Sequence, residues 1–323
     1  MGIQRGRLIE LIEAGVISED RIRQSLRVTG VMPGSRSWRM FLSNILLWLG
    51  CLALVFAVLF FIAYNWSDLG KFAKFGLVEG LVILAIAVYC KLDDGAVAGK
   101  MTLLAAMILL GTLLALYGQT YQTGADTWQL FFNWALLILP WVVIGRFAAG
   151  WIVWLLLLNI SLVLYHQTFR PALWFLSGTD TGLLWLLFSL NICALAAWEW
   201  LPAKWSRLSE RWAVRLLFSA GGTAITWLVL LGIFKHWEDG FAPLFAWLMW
   251  LTYLYFMYRK KTPDLFMLAG GCLSVITVAV TFPGEHIVQS GAPGGFLFLG
   301  LLVICMGTAA AFWLKNVHQE VQA

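Results

Sequence analysis

One carboxylate stands well inside an apolar run of this chain. Glu79 lies within the segment 72–90, bracketed by Gly76 and Gly80. Burying a charged side chain in hydrocarbon costs about 3 kcal/mol or more, so such groups turn toward the bundle interior and take a partner or a proton. Two chemistries fit Glu79: a proton or cation site, or a hydrogen bond across a helix contact. Hydration at the end of its run, beside Lys74, is a third reading. The Gly76/Gly80 spacing predicts close approach of another helix.

A second polar concentration is the stretch 118–131, GQTYQTGADTWQLF, held between two apolar runs. Gly118 and Gly124 permit backbone turns, and Gln119, Gln122 and Gln129 can satisfy freed backbone groups at a membrane boundary. Asp126-Thr127 suits the N-cap of a helix that follows. The stretch reads either as a re-entrant or lid element over an outward cavity, or as an ordinary outer loop with a capping Asp. Asn65, Trp66 and Asp68 end the first apolar run on the same side, so all these residues predict one outward polar site with Glu79 beneath it.

Other chemistry is thinly supported. Asp68, Asp126, His166, Asp180, His236, Glu238, Asp239, Glu285 and His286 fall in or near outer loops, but separate loops supply them and no HxxxH or HExxH spacing links them. No metal and no cofactor are expected. There is no GxSxG, P-loop or GxGxxG, and no DxxD pair within an apolar run. Asn44, Asn133, Asn159 and Asn191 read as links between helices. Cys51, Cys90, Cys193, Cys272 and Cys305 read as buried apolar thiols.

The elements that must position these residues follow from composition. Hydrophobic residues make up 61% of the 323 and charged residues 12%, and the mean hydropathy is +0.82. A soluble domain carries about 25% charged residues, so lipid must be the solvent for most of this chain. Ten spans are predicted, at 41–63, 72–90, 101–117, 130–145, 150–166, 181–199, 213–234, 241–258, 264–282 and 294–314. The fold class is therefore an all-α, polytopic transmembrane helical bundle. Residues 1–40 precede it as a short hairpin of two amphipathic helices, and 315–323 form a tail. Leu8, Leu11, Ile12, Ile22 and Leu26 give the helical spacing, Gly15 a C-cap, Ser18 an N-cap, and Pro33-Gly34 the hinge. The hairpin has too little core for a rigid DNA-reading helix-turn-helix, and suits an interface or a docking partner. It is also too long before the first run to be a signal peptide, so that run reads as an uncleaved anchor.

Loop charge sets the orientation. Of the 22 Lys and Arg residues, all but Lys71, Lys74, Arg170 and Lys235 fall on one side of a ten-span topology. The positive-inside rule then puts both termini in the cytoplasm. The net charge of +5 is explained by these loops without nucleic acid. The 19 Trp residues divide in the same way. Trp38, Trp66, Trp128, Trp174, Trp198, Trp200, Trp205, Trp212 and Trp237 mark span ends, and Trp48, Trp154, Trp185, Trp227, Trp247 and Trp250 lie deeper as packing residues.

Two stretches carry a resemblance. Asn65-Trp66-Ser67-Asp68-Leu69-Gly70-Lys71-Phe72-Ala73-Lys74, after the first span, and Gly118-Gln119-Thr120-Tyr121-Gln122-Thr123-Gly124-Ala125-Asp126, before the fourth, resemble the bacterial family of membrane proteins called domain of unknown function 2157. The likeness covers roughly residues 1–145, including the Ile-, Glu- and Arg-rich opening. It implies a bacterial inner-membrane protein, accompanied by other membrane proteins, and transfers no catalytic residue.

The sequence thus supports a non-enzymatic component of an inner-membrane complex, or a small-solute transporter with an outward polar site. A scaffold docking a partner through the N-terminal hairpin is the alternative. A membrane-embedded enzyme comes third, and polar residues clustered at one depth would mark it. Its partners are the lipid bilayer and other inner-membrane proteins.

Overall fold

A computed structural model describes residues 34–93, 96–169, 180–200, 210–237, 240–290 and 293–322, with residues 11–12, 14–17 and 26 ahead of them. Among the described residues the chain is all-helical, without strand. Ten α-helices run in order: α1 Ser35–Tyr64, α2 Lys71–Lys91, α3 Val97–Tyr121, α4 Thr127–Gly145, α5 Ala148–Phe169, α6 Asp180–Trp200, α7 Arg211–Phe234, α8 Ala242–Tyr255, α9 Leu265–Ser290 and α10 Pro293–Gln322. All but α8 are long and apolar enough to cross a membrane. α8 has 14 residues and continues as a π-helix, Phe256–Lys261.

Most of the expected N-terminal hairpin lies outside the described residues. One of its features is visible: Gly15 is left-handed (φ 70), and its N–H bonds to the Ile12 carbonyl. α1 begins at Ser35, inside the stretch expected to be hairpin, with Gly34 as its extended N-cap.

The described residues fall into two compact units. The first holds α1–α3 and the second half of α4. Its core is built from Val55 and Ile62 of α1, Val78 and Val82 of α2, and Leu109 and Leu116 of α3, with Trp141 packed against them. The second unit holds the start of α4 and α5–α10. There α7 packs against α6, α8 and α9, and small residues permit the approach. A side chain at Gly221 would meet Ile192, one at Gly222 the Trp250 ring, and one at Gly270 the Phe218 ring.

Polar links join the apolar helices of the second unit. Asn191 donates to the Asn159 side-chain oxygen at 2.8 Å, bridging α6 to α5, as the helix-link reading of these asparagines requires. The Trp247 indole donates to Ser274 Oγ at 2.8 Å, and the Thr226 and Ser274 hydroxyls lie 2.6 Å apart. This ties α7, α8 and α9 at one depth. Trp247 and Trp250 are buried as expected, whereas Trp227 is 55% exposed. Cys90, Cys193 and Cys305 are likewise exposed rather than buried. Lipid in place of water explains this: an apolar side chain facing outward gives up nothing there.

Candidate functional site

The polar turns of the first unit come together at one end. Asn65 C-caps α1: its backbone N–H and its side-chain amide, at 2.8 Å, both bond to the Phe61 carbonyl. Lys74, on the first turn of α2, is buried. Its ammonium donates to the Trp66 carbonyl and sits 3.7 Å from the centre of the Trp66 ring. Ser67 donates to the exposed Asp68 carboxylate at 3.4 Å. Lys71 lies 6.0 Å over the Tyr121 ring, and Tyr121 packs on Phe75 and Tyr117. The end of α3 is thereby held against the start of α2.

The stretch 118–131 forms no re-entrant element. α3 continues through Gly118 and Gln119 to Tyr121, because nothing breaks its hydrogen bonding before Gln122. Gln122 closes the helix in the left-handed region (φ 45, ψ 51), Gly124 is left-handed too (φ 64), and α4 starts at Thr127. Only 122–126 is turn. Asp126, grouped with the second unit, accepts the Gln129 N–H on its backbone carbonyl. Its carboxylate accepts the Trp128 indole N–H at 3.3 Å.

The left-handed positions yield a test. Gly124→Ala places a Cβ in a conformation that costs about 1 kcal/mol, so its melting temperature in detergent should fall. Gln122→Gly relieves the same strain, and its melting temperature should rise. Opposite signs are required, since both positions are exposed.

Glu79 does not face the interior. It is exposed on α2, a side chain added at Gly76 or Gly80 would meet nothing within 4 Å, and Lys74 is committed to Trp66. Among the described residues nothing bonds the Glu79 carboxylate. At 1.5 Å per residue it stands about 12 Å along the 21-residue α2 from Lys71.

Sequence reasoning missed the densest polar cluster among the described residues, at one end of the second unit. Asp264 has a side chain 2% exposed. It accepts Arg215 Nε at 3.3 Å and Arg215 Nη2 at 3.2 Å. It also takes the Phe266 N–H at 3.0 Å, capping α9. Arg211 lies 3.8 Å from Asp264 and 3.9 Å from Glu199. The fully buried Tyr258 donates its hydroxyl to Glu199 at 3.1 Å. Arg211 and Arg215 had read only as orientation signals. The available clue was Thr262-Pro263-Asp264 directly before an apolar run, a helix-start signature. Elsewhere His236 and Glu285 pair at 3.4 Å, and no metal-holding group of His, Cys, Asp or Glu forms among the described residues. Glu238 and Asp239 lie outside those residues, as does the Asp180 side chain.

Long apolar helices tied by sparse polar links define a polytopic helical membrane protein. The family model described as Predicted membrane protein (DUF2157) matches residues 10–151, in agreement with the resemblance carried by the two turn motifs. The match takes in α1–α4 and every residue of the polar turns above. No curated protein and no solved structure matches the chain.

Proposed function

We propose that this chain is a non-enzymatic subunit of a bacterial inner-membrane complex, with both termini in the cytoplasm and the outer face of α2 as its docking surface. The observation that carries this reading is the uncovered Glu79, flanked by the open Gly76 and Gly80. A carboxylate inside a spanning helix needs a partner, and two glycines let a foreign helix reach it. The fitting occupant is a transmembrane helix of another protein, with a basic or hydrogen-bonding side chain level with Glu79. Loop charge supports the orientation, which requires α8 and its π-helical continuation, 14 and 6 residues, to serve together as a tenth crossing. Two of the basic residues on the outer side, Lys71 and Lys74, are engaged by Tyr121 and Trp66, so folding accounts for their presence there.

The polar turn residues do work that needs no solute. Asn65 and Gln122 close helices, Trp66 holds Lys74, and Gly124 turns the chain. This favours the complex over the transporter.

Gentle-detergent purification at native expression, with mass spectrometry of what comes along, tests the proposal. A stoichiometric membrane partner is expected with the wild type, reduced at least tenfold by Glu79→Leu at an unchanged melting temperature. A lone protein, or a partner indifferent to Glu79→Leu, would overturn it. A large fall in melting temperature would assign Glu79 to the bundle instead.

A further inference from the structure

The Arg211–Asp264–Arg215 part of the cluster opens onto a cavity of about 290 Å³, lined also by Phe266 and His318 among others. We propose that this cavity binds the phosphodiester headgroup of an anionic phospholipid, independently of the docking face on α2.

Depth is the first argument. The cavity lies where α7 and α9 begin and α10 nears its end, the level at which spanning helices meet lipid phosphates. Basic pockets between helix ends at that level suit anionic headgroups.

Donor accounting is the second. Arg215 spends Nε and Nη2 on Asp264, and Asp264 is further occupied by the Phe266 amide. Arg211 is 44% exposed and stands 3.8–3.9 Å from both carboxylates. That is beyond hydrogen-bond distance, so its fork of donors is available for bidentate contact with a phosphate. α7 opens at Arg211, and its N-cap residue Glu210 makes no side-chain cap. The Glu210 carboxylate instead accepts the Trp212 indole N–H.

Charge and shape select the ligand. Two guanidiniums and one carboxylate line the cavity, so its walls carry a modest positive excess. A singly charged phosphodiester gains Arg211 without meeting strong repulsion from Asp264, whereas a polyanion meets more. The exposed Leu265 and Phe266 on the rim offer apolar surface to the glycerol and the first acyl carbons, which a free phosphate does not have.

The test uses the full-length protein, stripped of lipid in detergent and titrated with phosphatidylglycerol, phosphatidylcholine or inorganic phosphate under native mass spectrometry. Phosphatidylglycerol should bind at least tenfold more tightly than phosphatidylcholine. Arg211→Gln should weaken it about tenfold, His318→Gln less, and Lys260→Gln, outside the cavity, not at all. Should Arg211→Gln fail to fold, the contrast between His318→Gln and Lys260→Gln decides. Equal affinity for the two lipids, equal loss in Lys260→Gln, or no loss in either cavity variant overturns the proposal. Displacement of phosphatidylglycerol by inorganic phosphate at equal concentration overturns the lipid assignment and leaves a free-phosphate site.

Discussion

Arg215→Met is expected to destabilise the protein by about 3 kcal/mol, and Asp264→Asn by clearly less. Both substitutions break the bidentate ion pair, but they leave different orphans. Without Arg215, a carboxylate whose side chain is 2% exposed loses its bidentate partner. Uncompensated buried charges of this kind cost roughly 3–5 kcal/mol, and Arg211 at 3.8 Å brings the loss to the lower end. Without the Asp264 charge, the orphan is a guanidinium 43% exposed, which water and lipid phosphates can solvate. Asparagine also keeps an oxygen for the Phe266 amide that caps α9. Arg215→Met with Asp264→Asn should therefore be more stable than Arg215→Met alone. Melting curves of the three variants in one detergent check the order. A pair of equal single losses would show that only the shared ion pair matters.

Gly222→Leu should cost about 3 kcal/mol by overpacking, and for a different reason. A Cβ at that position would stand 2.9 Å from the Trp250 ring. The ring cannot retreat freely, because it stacks on Phe218 with centroids 5.3 Å apart. Phe218 in turn lies against Gly270, where a Cβ would be 2.7 Å away. Two glycines on two helices thus make room for one aromatic stack, and extra carbon in such a site forces rotamers and backbone to shift. Trp250→Leu should cancel part of the loss in the double variant, giving a coupling of about 1 kcal/mol or more by double-mutant cycle. Additive losses would place the strain elsewhere.

How much of this was legible in the sequence differs by kind of interaction. Helix existence was plain, because membrane helices announce themselves by length and apolarity alone. The asparagine link between α5 and α6 was also readable, since Asn159 and Asn191 are polar groups in apolar runs with little else to do. Helix ends were less legible: polarity in 118–121 looked like a loop, although nothing there forbids helix, and α3 continues to Tyr121. Facing was the least legible. An apolar helix in lipid has no polar side to give its orientation away, so neither the outward Glu79 nor the exposed Trp227 could be placed from the pattern. The Arg215–Asp264 pair was hidden for another reason. Its partners are 49 positions apart, and basic residues near span ends already had an explanation in topology.

That separation also has a schedule. At roughly 5–20 residues per second, Asp264 is added several seconds after Arg215. Until Asp264 has been made, the start of α7 lacks the carboxylate that it holds in the finished fold. Closing the second unit at this end is therefore a late event, because the pair that ties α7 to the start of α9 cannot form before the whole of α8 lies between its members.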